Sequence, residues 1–264
     1  MVKLTVVVIT KNEADNITAC LSSVKAWADE IIVVDDESTD NTRDLADRFA
    51  DKVLVRRMDN EGRHRNCAYA QARNIWVLSL DADEVVTPQL KEEIAQAIEK
   101  TDYAGFSIPL RTYIGKYWVR HSGWYPASKL RLFKQNCFKY EEVKVHPRAF
   151  LDGKEGHLTK DIIHQGYPDI EHFLASLNRQ TTLEAQKWID TGRKMHLGWA
   201  LWRTLDRFPR VYFRKQAYKD GLYGFVIAFF ASLYQIISYF KYREMQMSAS
   251  LNFKSNEFNS KIKN

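Results

Sequence analysis

Up to Lys100, short apolar runs alternate with polar stretches in a regular order. Leu4–Ile9 is apolar and β-branched, as a strand covered on both faces should be. Ile17, Leu21, Val24 and Trp27 then recur at helical spacing within Ala14–Trp27. Ile31–Val34 and the short Val53–Val55 predict two further strands, separated by a helix that Asp40 or Thr42 caps and that runs to about Ala50. Asn66–Ile75 predicts a helix and Trp76–Leu80 a fourth strand. Thr87-Pro88 supplies a capping hydroxyl and a proline at the first helical position before Leu90–Lys100. This βα alternation predicts an α/β fold with a mostly parallel sheet and right-handed crossovers.

From Tyr103–Leu110 onward the pattern changes. Strand-like pieces (Lys129–Phe133, Ala149–Leu151) lie among turn-rich stretches full of Tyr, Trp and His, and Glu171–Gly192 predicts a helix entered after Pro168-Asp169. Leu222–Phe240 is mostly apolar, with no charged residue between Asp220 and Lys241, which is near the length of a bilayer span. Gly224, Ser232, Gln235 and Ser238 suit a buried or docking helix instead, and the basic flanks suit a helix lying on an anionic leaflet. Surface attachment is the reading adopted. Residues 1–197 are expected to form the sheet domain, with 1–110 as a nucleotide half and 111–197 as an acceptor half. Residues 198–264 form a helical, basic and aromatic tail.

Charge sharpens this division. The net charge is +6, and six cations (Arg203, Arg207, Arg210, Arg214, Lys215, Lys219) face one acid, Asp206, between Trp199 and Lys219. An anionic membrane surface is the expected partner of that stretch, and no nucleic-acid partner is expected. Pro209 interrupts the arginine spacing, so these residues need not share one helical face. Cys20, Cys67 and Cys137 are scattered and lack metal-ligand spacing, which suits reduced thiols in the cytoplasm.

The chemistry sits at three strand ends. Asp81-Ala82-Asp83 follows the fourth strand, Asp35-Asp36 the second, and Thr10-Lys11-Asn12-Glu13 the first. Open α/β sheets bind ligands outside the carboxyl ends of their strands. Asp83 is the expected ligand of Mg²⁺ or Mn²⁺, with Asp81 sharing the metal or facing a ribose. Glu84, next in sequence, is expected to point to solvent. Asp36 suits a base N–H, Asp35 suits a turn cap, and Glu13, with Thr10 and Asn12 beside it, suits a base or ribose. Arg63, His64 and Arg65 are expected in a polar turn, where Arg65 in particular would clamp a phosphate or ribose. The later residues Glu141, Glu142 and His146 are candidate general bases, and His164 is a candidate metal ligand or acceptor-side group. Trp118, Trp124 and Tyr125 suit stacking on a sugar ring.

Taken together, Thr10–Glu13, Val34–Thr42 and Leu80–Glu84 resemble glycosyltransferase family 2. Trp76–Val86, Arg131-Leu132-Phe133, Val145-His146, Ile163-His164 and Asp220–Phe225 are similar to its branch of bacterial lipopolysaccharide-core β-glucosyltransferases. The resemblance implies a GT-A fold, an inverting displacement and a UDP-sugar donor such as UDP-glucose. It also implies Asp36 on the base, Asp81 on the nucleotide and Asp83 on the metal. One position departs: relatives often carry an acid after the Val-His pair, where this chain has Pro147, leaving the base role to Glu141 or Glu142. The expected activity is hexose transfer to a lipid-linked glycan acceptor, performed peripherally on the inner face of the cytoplasmic membrane. A polyprenyl-phosphate or capsule-intermediate acceptor, or a catalytically silent binding protein of the same fold, are the alternatives. A nucleotidylyltransferase is disfavoured because Thr10–Glu13 contains no glycine.

Overall fold

The computed structural model describes residues 3–99, 101–143 and 147–262. Two compact units result. One takes the chain up to Trp118 and resumes over Trp124–Gly166; the other joins Val119–Gly123 to the chain from Tyr167 onward.

The first unit opens with β1 (Leu4–Thr10), α1 (Ile17–Lys25), β2 (Glu30–Asp35), α2 (Thr42–Ala46) and β3 (Lys52–Val55). It continues through α3 (Glu61–Tyr69), β4 (Trp76–Asp81), β5 (Glu84–Val86) and α4 (Pro88–Ile98). Strands β6 (Tyr103–Ile108), β7 (Leu110–Ile114), β8 (Tyr117–Trp118), β9 (Lys129–Lys134) and β10 (Phe138–Tyr140) follow. Then come β11 (Ala149–Leu151), β12 (Lys154–His157) and β13 (Ile162–Tyr167). The main sheet has seven strands in the order β12-β6-β9-β4-β1-β2-β3. β1 pairs in parallel with β2 and β4, and β9 runs antiparallel between β4 and β6.

β1 is covered on both faces, which explains its unbroken apolar run. Leu4, Val6 and Val8 pack in one cluster with Ile17, Leu21, Leu90 and Ile94, whereas Val7 packs in another with Ala68, Tyr69 and Phe133. The register sets Thr10 beside Asp35 and Ile9 beside Asp81, so the acidic strand ends meet at one edge.

Three local expectations need correction. The third helix starts at Glu61 and ends at Tyr69, so Arg63, His64 and Arg65 lie inside it rather than in a preceding turn. The Asn60 side chain caps it by accepting from Arg63 N (3.0 Å), a stronger start signal than the apolar run that follows. Helix α2 stops at Ala46 rather than near Ala50. Pro109 separates β6 from β7, which belong to different sheets. Glu84 is fully buried.

The second unit holds α5 (Ile170–Asp190), α6 (Leu197–Pro209) and α7 (Gly221–Ile262). Asp169 caps α5 by accepting from His172 N (2.8 Å). At Pro209, which has no N–H to give, α6 widens into a π-helical turn over Arg210–Arg214. Among the described residues, Ala217–Ser248 is the one helical stretch long and apolar enough, by length and composition, to cross a membrane. It packs on α5 through polar contacts: Lys241 Nζ donates to Asn178 O (2.6 Å), Thr181 Oγ1 (2.8 Å) and Thr182 Oγ1 (2.8 Å).

Candidate active site

At the end of β4 the two aspartates have separate tasks. Asp81 is ion-paired through Oδ1 with Arg65 Nη2 (2.9 Å) and accepts from Arg131 Nη2 through Oδ2 (2.6 Å). Burial alone would raise its carboxyl; the Arg131 and Arg65 guanidiniums hold it well below the usual carboxylate range instead. Arg131 also donates to Glu84 Oε1 (2.5 Å), and Glu84 Oε2 accepts from Asp81 N (3.0 Å). Glu84 therefore locks the turn rather than facing water. Its burial, the largest influence, pushes its carboxyl up, and Arg131 opposes that.

Asp83 is left for other work. Its Oδ2 lies 3.1 Å from His164 Nε2, and His164 Nδ1 is hydrogen-bonded to Thr112 Oγ1 (3.1 Å). Burial lowers the His164 imidazole, but the Asp83 carboxylate more than offsets this, so it is raised overall. β13 pairs with β5, with His164 opposite Glu84, and this places the imidazole at the β4 edge.

The β1 and β2 ends are stitched together. Asn12 adopts a left-handed conformation (φ 52°), with its N–H on Ser38 Oγ (2.8 Å) and its Oδ1 accepting from Thr39 N (2.8 Å). Asp35 caps the turn through Ser38 N (2.8 Å). Asp36 accepts from Met58 N (2.7 Å) and from Lys11 Nζ (2.8 Å). Its burial would raise the carboxyl, but these donors hold it below the ordinary range. Glu13 accepts from Asn16 Nδ2 (2.7 Å), and burial followed by the nearby charges of Asp83, Asp40 and Asp81 pushes its carboxyl up.

Several buried polar atoms at this edge have no partner among the described residues: Thr10 Oγ1, Asp35 Oδ1, His64 Nε2, Arg65 Nη1 and Arg131 Nε. Orphans of this kind mark places where a ligand or water completes the bonding. The donor set fits a hard divalent ion. Asp83 offers carboxylate oxygen and His164 a nitrogen, and phosphate oxygens and water would supply the rest of the shell. Among the described residues no group of three or more His, Cys, Asp or Glu converges.

The candidate bases divide. Glu142 Oε2 accepts from Arg63 Nε (3.2 Å), which ties it to the helix that carries Arg65. Glu141 Oε2 accepts from Arg148 Nε (3.2 Å). Gly62 sits so close to the Glu141 carbonyl that a Cβ would lie 1.8 Å from its oxygen, so a side chain there would push this segment away. His146, with Val145, lies outside the described residues. A cluster not anticipated from sequence joins Asp161 to Arg111 (Oδ2 to Nη2, 2.5 Å) and to the Tyr125 hydroxyl (3.0 Å), with the Arg111 guanidinium 4.3 Å from the Trp118 ring centroid. Trp118 and Tyr125 meet edge to face at 5.2 Å, so part of the expected stacking surface is held by Asp161.

A mostly parallel sheet with acids and guanidiniums gathered at its carboxyl edge is the architecture of a nucleotide-binding α/β enzyme. The family model of glycosyltransferase family 2 matches residues 5–151, more than half of the chain. The chain belongs to that family and is a glycosyltransferase. A glycosyltransferase of Rickettsia bellii (strain RML369-C) is 27% identical, covering 94% of this chain and 88% of its own. The lipopolysaccharide core biosynthesis glycosyltransferase LpsC of Rhizobium meliloti (strain 1021) is 24% identical, covering 89% and 90%. Among solved structures, S. aureus TarS 1-349 is similar with a TM-score of 0.47 and 16% identity, covering 92% of this chain and 91% of that one.

Proposed function

We propose that this glycosyltransferase transfers a hexose, glucose from UDP-glucose, to a lipid-anchored glycan of the lipopolysaccharide-core type. The reaction is an inverting single displacement at the cytoplasmic face of the membrane. The observation that carries the reading is the division of labour at β4. Asp81 and Glu84 are consumed by Arg131 and Arg65, while Asp83 and His164 stand together with no guanidinium between them. The name of LpsC, a relative over most of the chain, supports the acceptor class.

Asp83 and His164 would hold Mn²⁺ or Mg²⁺, with Asp81 behind them, and such an ion would supply screening of the charge on a departing diphosphate. The remaining tasks fall to side chains. Asp36 receives a base N–H in exchange for one of its present donors, and Thr10, Asn12 and Glu13 frame the same end of the sheet. Arg65 uses its unpartnered Nη1 on a phosphate or ribose oxygen. Thr112 fixes the His164 ring by its hydrogen bond at Nδ1, as groups behind a ligating histidine do. Glu142 is the first candidate to accept the acceptor hydroxyl proton, ahead of Glu141 and His146.

A donor screen tests this reading. With Mn²⁺ present, UDP-glucose is expected to raise the melting temperature more than GDP-, ADP- or CMP-sugars do, since a ligand that binds only the folded chain stabilises it. A larger shift with another nucleotide overturns the donor assignment.

A further inference from the structure

Within the helical unit, apolar side chains face outward where α6 meets the start of α7. On α6, Leu201, Trp202 and Leu205 share one helical face, and Trp202 and Leu205 are 57% and 75% exposed. Phe213 in the π-helical turn is 61% exposed, and Leu222 in the first turn of α7 is 70% exposed. Phe225 continues the Leu222 face one turn on and packs against Phe208 and Tyr212, with ring centroids 6.0 and 6.2 Å away. These rings form one aromatic layer with an open outer side.

The charges around this layer are one-sided. Arg207, Arg214, Lys215 and Lys219 are exposed. Of the two acids in the region, Asp206 is neutralised by its ion pair with Arg210 one helical turn on, and buried Asp220 accepts from His121 N (2.8 Å) and Arg120 N (3.3 Å). What remains outward is apolar surface rimmed by cations.

We propose that this face docks in the plane of an anionic phospholipid surface, with Leu205, Phe213 and Leu222 entering the interface and Arg207, Arg214 and Lys219 meeting the headgroups. The proposal deepens the membrane-surface part of the function proposed above. It also assigns α7 a peripheral role. Lys241 and Tyr234 bind the polar backbone and side chains of α5, including Gln180 O (3.3 Å) and Asn178 O (2.6 Å). A helix that spanned the bilayer alone would leave those groups in hydrocarbon without α5. The charge pattern selects an anionic lipid surface over a second copy of the chain, whose identical cations would oppose these.

Flotation of the full chain with vesicles tests the proposal, using phosphatidylcholine alone or mixed with phosphatidylglycerol. Wild type is expected to float with the mixed vesicles, and added salt should weaken this only in part. Arg207→Gln/Arg214→Gln/Lys219→Gln is expected to bind the mixed vesicles at least tenfold more weakly, since each surface cation contributes about a fivefold gain. Phe213→Ser/Leu222→Ser should lose the salt-resistant fraction. Calorimetric UDP binding, measured on the same samples, is expected to stay unchanged. Loss of UDP binding in wild type would sink the donor reading while leaving docking standing. Three outcomes overturn the docking proposal: wild type that ignores both vesicles, an apolar variant that binds as wild type, or a protease-protected fragment covering α7 in sealed vesicles. A wild-type dimer by sedimentation that becomes monomeric in Phe213→Ser/Leu222→Ser, without vesicle binding, would instead assign the face to self-association.

Discussion

In the sheet unit, Arg131 and Glu84 lie inside and their charges answer one another; in the helical unit, Leu205, Phe213 and Leu222 lie outside, Asp206 is paired with Arg210, and Asp220 is buried. Burying a charge is costly unless it is paired, and in the Asp81–Arg131–Glu84 chain the Arg131 guanidinium serves both carboxylates. That pairing holds the β4 turn and leaves Asp83 positioned by the backbone. Exposing large apolar groups also carries a cost in water, and a surface that retains them is suited to a partner. The first arrangement fixes a site, and the second offers one to the surroundings.

Breaking the inner arrangement should have the largest effect. Arg131→Met strands the buried Glu84 carboxylate and leaves Asp81 with Arg65 alone, and is expected to destabilise the fold by about 3–5 kcal/mol, with partial recovery in Arg131→Met/Glu84→Gln. Phe213→Ser/Leu222→Ser, by contrast, is expected to stay within about 0.5 kcal/mol of wild type. Urea unfolding of all three measures the contrast; equal losses in the inner and outer variants would erase it.

Asp36→Asn tests a buried carboxylate that is proposed to receive the nucleobase. UDP affinity is expected to fall by about 1.5–3 kcal/mol, the range for a hydrogen bond to a charged group. Titration calorimetry that returned the wild-type affinity would make Asp36 a structural acceptor for Met58 N and Lys11 only.

A smaller effect belongs to His64. It is buried beside Arg56, whose Nη1 lies 3.0 Å from His64 Nδ1, and burial first, then Arg56, lowers its pKa below 6.5. Below that ordinary value the unfolded chain binds a proton that the folded chain refuses. The stability His64 contributes is thus complete above it and is lost as pH falls toward the folded value. Unfolding followed from neutral pH to about pH 5 should show a shallower decline in His64→Gln than in wild type. Parallel slopes would assign the acid sensitivity elsewhere.

The strand ends were legible because three apolar runs give way to polar stretches that carry acids (Glu13, Asp35-Asp36, Asp81 and Asp83), and a parallel sheet brings such ends together whatever the loops do. Asp35 as a turn cap was legible for the same local reason. Arg131 was not: it acts on Asp81 across 50 positions of sequence, and only the antiparallel insertion of β9 beside β4 brings it there. The adjacent acid Glu84 looked solvent-facing because sequence does not show a buried cation waiting for it. The start of α3 was missed because Asn60 gives a capping signal without an apolar stripe behind it. In the tail, composition showed basic and aromatic residues together, but only the fold shows that Asp206 is paired with Arg210 and that Asp220 is buried.

The central claim is that Asp83, with His164, binds the ion that accompanies a nucleoside diphosphate. Its most direct test is calorimetric titration of UDP into wild type, Asp83→Ala and His164→Ala, each with and without Mn²⁺. The account predicts tighter UDP binding with Mn²⁺ in wild type, no such gain in Asp83→Ala, and a gain reduced about 10–100-fold in His164→Ala, with all three proteins folded. An undiminished Mn²⁺ gain in Asp83→Ala would contradict it.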